Sequence, residues 1–207
     1  MKWFKSLRAW VLGCLLVLPF PLLSSAQTVE LPFSYLKVRG HTVRTSHKLK
    51  LSIRINKAYR FLGKTDHQPT FSGHPFNVSL AAYAKGDNFL MIHAEMHSDG
   101  SGGLDYSNLT SDSLAGMTFR SKSDCAELDA ADIQNEHDLS FLERNGFSPS
   151  PAIYIKQYFA TSADGTSEIV VTFGTRVSDC SAKTLTNAFK VDFDKQTRSL
   201  VTIRSGK

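Results

Sequence analysis

Eight residues, Lys48 to Ile55, alternate without error. Leu49, Leu51, Ile53 and Ile55 are apolar, and Lys48, Lys50, Ser52 and Arg54 between them are polar. A period of two places successive side chains on opposite faces of an extended chain, so this stretch predicts a strand with one dry and one wet side. Such a strand needs partners, and the chain offers them. Phe76–Ala84 and Asn88–His97 flank the short loop Lys85-Gly86-Asp87 and read as a hairpin. A second hairpin is predicted from Ile153–Ala160 to Glu168–Val177 through Ala163-Asp164-Gly165-Thr166, and a third from Ala188–Asp194 to Ser199–Arg204.

Helix signals are confined to the middle. Asp124–Asn135 has a cap residue and apolar positions at Leu128 and Ile133, and His137–Asn145 stops at Gly146. The segment 147–151, with Pro149 and Pro151, is the expected internal joint. The expected fold is α+β: mainly antiparallel sheet built from hairpins, with one or two short helices inserted around residues 124–146.

The N-terminus predicts export. Lys2, Lys5 and Arg8 precede an apolar run from Ala9 to Leu23, and Ser24-Ser25-Ala26 supplies the small residues of a cleavage site. A transmembrane anchor is the competing reading, but Pro19 and Pro21 interrupt a run shorter than the ~20 apolar residues a span requires. Residues 27–207 are then a single exported domain, periplasmic or secreted. Without the three basic residues of the signal, 21 Lys and Arg stand against 19 Asp and Glu, a net +2. So small an excess gives little reason to expect a nucleic-acid partner. Cys14 falls inside the signal, leaving Cys125 and Cys180, which predict one disulfide in an oxidising compartment.

Charge is unevenly distributed. From Leu31 to Thr65 there are nine Lys or Arg and no acid, whereas Asp124 to Glu143 holds seven acids and no Lys or Arg. Lys48, Lys50 and Arg54 are the candidate residues for contact with an anionic surface. The competing reading is a solvated sheet face on which lysines blunt edge-to-edge association.

The densest chemistry lies in Phe89–Gly103. His93, Glu95 and His97 share one face of a predicted strand, and Leu90, Ile92, Ala94 and Met96 fill the other. Two imidazoles and a carboxylate are a zinc or iron ligand set. Strand geometry opposes them, because residues four apart are separated by roughly 13 Å of backbone. The polar face is therefore expected to be the wet side of a half-buried strand, with no residue of the His67–His74 loop reaching across. Asp99, Ser101 and Asp105 lack the spacing of a calcium loop. No nucleophile elbow, phosphate loop or dinucleotide fingerprint occurs in the sequence.

These observations lead to an exported, non-enzymatic β-rich domain that binds a ligand or protein of the envelope and uses no cofactor. The alternative is a metal-dependent enzyme using zinc or iron at His93, Glu95 and His97.

Overall fold

A computed structural model describes residues 33–206 except Ser72. The proposed signal segment lies outside these residues. Among the described residues no helix is long and apolar enough to cross a membrane.

Two antiparallel sheets form the frame. The smaller has the order β1 (Leu36–Arg39), β2 (Thr42–Thr45), β3 (Leu51–Ile55) and, closing the chain, β12 (Val201–Ser205). The larger runs β4 (Arg60–His67), β6 (His74–Lys85), β7 (Asn88–His97), β11 (Ser167–Val177), β10 (Ala152–Thr161), β9 (Met117–Glu127) and β8 (Thr110–Leu114). The two-residue β5 (Thr70–Phe71) folds back on β6. Three helices complete the domain: α1 (Ala130–Asn135), α2 (His137–Arg144) and α3 (Asn187–Leu200).

Alternation decides how the sheets meet. In β3, Leu51, Ile53 and Ile55 are buried while Arg54 is exposed. They join Val43, Val201 and Ile203 in one core with Tyr83, Leu90, Ile92 and Phe173 of the larger sheet. The opposite face of the larger sheet is also covered. There, Leu80, Ala82, Phe89 and Met91 pack against Phe141 and Leu142 of α2 and against Phe147. Central strands thus carry apolar residues on both faces, as sheets buried on two sides do. At Gly174 the covering is very close: a Cβ built there would lie 2.0 Å from the ring of Phe89.

Three expectations change. Residues 187–200 form a helix, not the first arm of a hairpin. Phe189-Lys190-Val191-Asp192-Phe193 alternates like a strand, but Phe189 and Phe193 are also one helical turn apart. Both rings meet Tyr154 edge-on, at 5.4 and 5.2 Å between centroids, while Val191 is left 65% exposed. Thr186 caps this helix by accepting from the Phe189 N–H. Secondly, Asp124 to Glu127 stays in β9, paired with β10, and the first helix begins only after its cap, Asp129. Thirdly, the stretch between His67 and His74 contains the two-residue strand Thr70–Phe71, and both histidines that frame it lie in strands.

Cys125 and Cys180 are bonded, with Cα atoms 5.7 Å apart. The bond ties the end of β9 to the segment that leads into α3.

Candidate functional site

The polar residues of β7 sit on the face covered by α2, and they are not wet. His93, Glu95 and His97 are only 5, 7 and 4% exposed. His97 is covered by the rings of His74 and Phe76, and for His93 and Glu95 the reason is the amphipathic shape of α2. Phe141 and Leu142 land on the apolar end of the face, and His137 and Asp138, one turn earlier, land on its polar end.

Register assembles the rest. Glu168 of β11 lies directly opposite Glu95, Val78 of β6 flanks Glu95 on the other side, and His67 of β4 lies opposite Val78. One row across the sheet therefore reads His67, Val78, Glu95, Glu168. His93 occupies the next row, between Leu80 and Val170. Both histidines of the 67–74 stretch reach this region, against expectation: the His74 ring stands 5.5 Å from that of His97, and His67 helps enclose the cavity beside His93.

The geometry falls into three contacts. His93 Nε2 lies 2.9 Å from Asp138 Oδ2. His67 and His137 stack, with centroids 3.6 Å apart and planes 14° from parallel. His97 Nδ1 meets the Ser101 hydroxyl at 2.7 Å. Above the floor is a cleft of about 500 Å³, walled by Phe71, Phe76, Tyr106 and Phe159. Glu168 is 3% exposed, and its Oε2 has no hydrogen-bond partner.

Electrostatics follow from burial. Burial alone opposes a charge on His93, but Asp138, aided by Glu95 and Glu168, lifts its pKa to about 9. Burial also raises Glu95, to about 8 against the pull of His93, and raises Glu168 despite the Tyr106 hydroxyl beside it. Asp138 goes the other way: burial would raise it, but the positive charge of His93 and the close approach of the His137 and His93 rings hold it well below the usual carboxylate range. His67 falls to about 4, through burial first and the neighbouring His137 second.

Among the described residues, the group of three His, Cys, Asp or Glu donors that converges within 4.8 Å is His67, His137 and Asp138. His93, Glu95 and His97 share a face without converging in that way. Asp99 and Asp105 accept from the backbone amides of Ser101 and Ser107, two residues on, and so serve their own turns.

The basic residues separate. Lys48 turns away to pair with Asp164 and reaches Thr166 Oγ1 at 2.8 Å. Arg54 stays on the outer face of the smaller sheet, in a groove of about 520 Å³ that Lys50 also lines. Register gives that face two rows: Lys37, Arg44, Ser52 and Arg204 in one, and Arg39, Thr42, Arg54 and Thr202 in the other. None of these Lys or Arg side chains is in an ion pair among the described residues.

No protein family, curated protein or solved structure matches this chain. The site must be read from its own chemistry.

Proposed function

We propose that the chain is an exported, non-enzymatic binding module whose cleft takes a small ligand carrying an ammonium group and an apolar or aromatic portion. The N-terminal segment to Ala26 and the Cys125–Cys180 bond support export. The observation that carries the reading is the unpartnered, buried Glu168 Oε2 opposite Glu95. The two carboxyls resist ionisation because burial penalises their charge, and the nearest cation, His93, is already engaged by Asp138. A ligand cation supplies the missing countercharge, and the aromatic walls favour it further through their ring faces. Lys122 Nζ already stands 5.6 Å from the Phe159 ring.

Thermal unfolding with phenethylamine and with its neutral partner, phenethyl alcohol, tests this. At ten times Kd the amine stabilises the fold by about 1.4 kcal/mol. The alcohol gives no comparable shift, and Glu168→Gln removes the amine's effect. Equal responses to amine and alcohol, or an unchanged response in Glu168→Gln, defeat the proposal.

The two basic rows favour a second reading, contact with an anionic envelope polymer through Lys50 and Arg54 rather than Lys48. Retention on heparin should fall steeply between 50 and about 300 mM salt, and Arg54→Glu with Arg204→Glu should abolish it. Retention insensitive to salt removes this mechanism.

A further inference from the structure

Where α2 crosses the end of β4, three donors meet. His67 is the last residue of β4, and His137 and Asp138 are the first two of α2. Their ligand atoms all lie within 4.8 Å of one another. His67 Nδ1 and His137 Nδ1 are both buried and have no hydrogen-bond partner. Stacking alone does not satisfy them, since a buried ring nitrogen without a partner costs free energy. Asp138 is held in place from the other side: its Oδ2 faces His93 Nε2 at 2.9 Å, and its Oδ1 lies 3.5 Å from His137 Nδ1. His93 itself is 5% exposed, and apart from that charged contact neither of its ring nitrogens has a hydrogen-bond partner. These groups line a cavity of about 140 Å³, which shares His93, Glu95 and Asp138 with the neighbouring cleft.

We propose that His67, His137 and Asp138 bind one divalent transition-metal ion of the zinc class, with His93 as the positioning residue that orients the Asp138 carboxylate. Two imidazole nitrogens and one carboxylate oxygen match zinc, nickel or copper and disfavour calcium and magnesium, which take oxygen ligands. Around a tetrahedral ion with bonds of ~2.0–2.2 Å, ligand atoms stand ~3.3 Å apart, so donors now within 4.8 Å of one another close in by up to about 1.5 Å. A metal–nitrogen bond lies in the plane of its ring. The parallel His67–His137 stack must therefore splay as the ion enters, and rotation about the side-chain bonds of both residues accomplishes this. A carboxylate hydrogen-bonded to a second residue is a common support for such a site. The inference goes beyond the ammonium reading of the cleft and stands or falls separately from it.

The test uses protein purified without a polyhistidine tag, stripped with EDTA, given equimolar zinc chloride and desalted. One zinc per chain is expected by elemental analysis. In imidazole nitrogen NMR spectra, zinc should move the signals of His67 and His137 and leave those of His41 in place. His67→Gln and His137→Gln should each weaken binding about tenfold or more, and His93→Gln should weaken it less while the Asp138→Asn variant loses it. Circular dichroism shows whether each variant is folded. Wild-type protein that retains no zinc, or folded His67→Gln and His137→Gln variants that retain it at full stoichiometry, overturns the proposal. The wild-type measurements decide the matter even where a variant fails to fold.

Discussion

Glu168 stands directly opposite Glu95 across the β7–β11 ladder, and both carboxyls are buried on the same face. Burial penalises both charges and like charges opposite one another destabilise a sheet, so the pair makes stability depend on pH. The native pKa of Glu95 is raised from 4.5 to about 8. The native state therefore holds this proton more tightly than the unfolded chain. The contribution of Glu95 is fully present below its unfolded pKa of 4.5 and is lost as pH rises through about 8. Glu95→Gln mimics the protonated form. It should leave the melting temperature at pH 5 nearly unchanged and raise it at pH 9 by ~3 °C or more. A variant less stable than wild type at pH 9 contradicts the assignment.

Gly174 and Phe89 test the packing beneath the same face. They are cross-strand partners, and a Cβ at 174 would lie 2.0 Å from Phe89 Cζ. No rotation of a flexible tip relieves that overlap, because the ring itself packs against Phe147 at 5.2 Å. Gly174→Ala should cost about 3 kcal/mol, at the upper end of overpacking. Phe89→Leu combined with Gly174→Ala should cost less than the sum of the two single changes. Additive costs in urea unfolding would show that the two residues do not couple.

What could be read from the sequence, and what could not, follows from range. The alternation of Leu51, Ile53 and Ile55 is a local signal, and the strand, its dry side and the mainly antiparallel class follow from it. Phe189 to Phe193 fits both periods, and the Thr186 cap together with the distant Tyr154 ring decides for helix. His93, Glu95 and His97 could be placed on one strand face, but the burial of His93 and Glu95 depends on α2, some 40 residues further on. The row that brings His67 and Glu168 to either side of Glu95 depends on the register of three strand pairs, which no local pattern encodes. Two signals were available. Glu168 is a lone acid leading into the apolar run Ile169–Val171, and Gly174 interrupts a strand, where glycine marks close approach.

The Cys125–Cys180 bond closes 55 residues, and in the chain-entropy account such a loop contributes about 4 kcal/mol. The two sheets share their core independently of it. Reduced protein should therefore still unfold cooperatively, with a melting temperature lowered by ~10 °C. Loss of a cooperative transition on reduction would instead make the bond essential to the fold.

Lys156 carries the last prediction. It lies on the face of β10 under α3, 7% exposed, with Nζ 2.9 Å from both Asp112 Oδ2 and Asp194 Oδ2. Arg198 of α3 adds a 2.8 Å contact to the other oxygen of Asp112. Burial disfavours the ammonium, but its bonds to the two carboxylates outweigh this and raise its pKa. Asp112 is lowered: burial opposes its charge, and Lys156 overcomes that opposition. Removing the lysine leaves the nearly buried Asp112 with Arg198 as its one remaining cation, and breaking a buried pair from one side costs ~3 kcal/mol or more. Lys156→Ala should lower the melting temperature by ~6–12 °C. Lys156→Met with Asp112→Asn replaces the charges together and should recover most of that loss, since buried ion pairs are often no more stabilising than apolar groups of similar volume. Asp112 contributes stability above its unfolded pKa of 3.8, and this is lost as pH falls through its lower native value. The double variant should thus lose less stability than wild type between pH 5 and pH 2. Parallel acid-unfolding curves for the two proteins would show that the Lys156–Asp112 pair does not contribute to acid sensitivity.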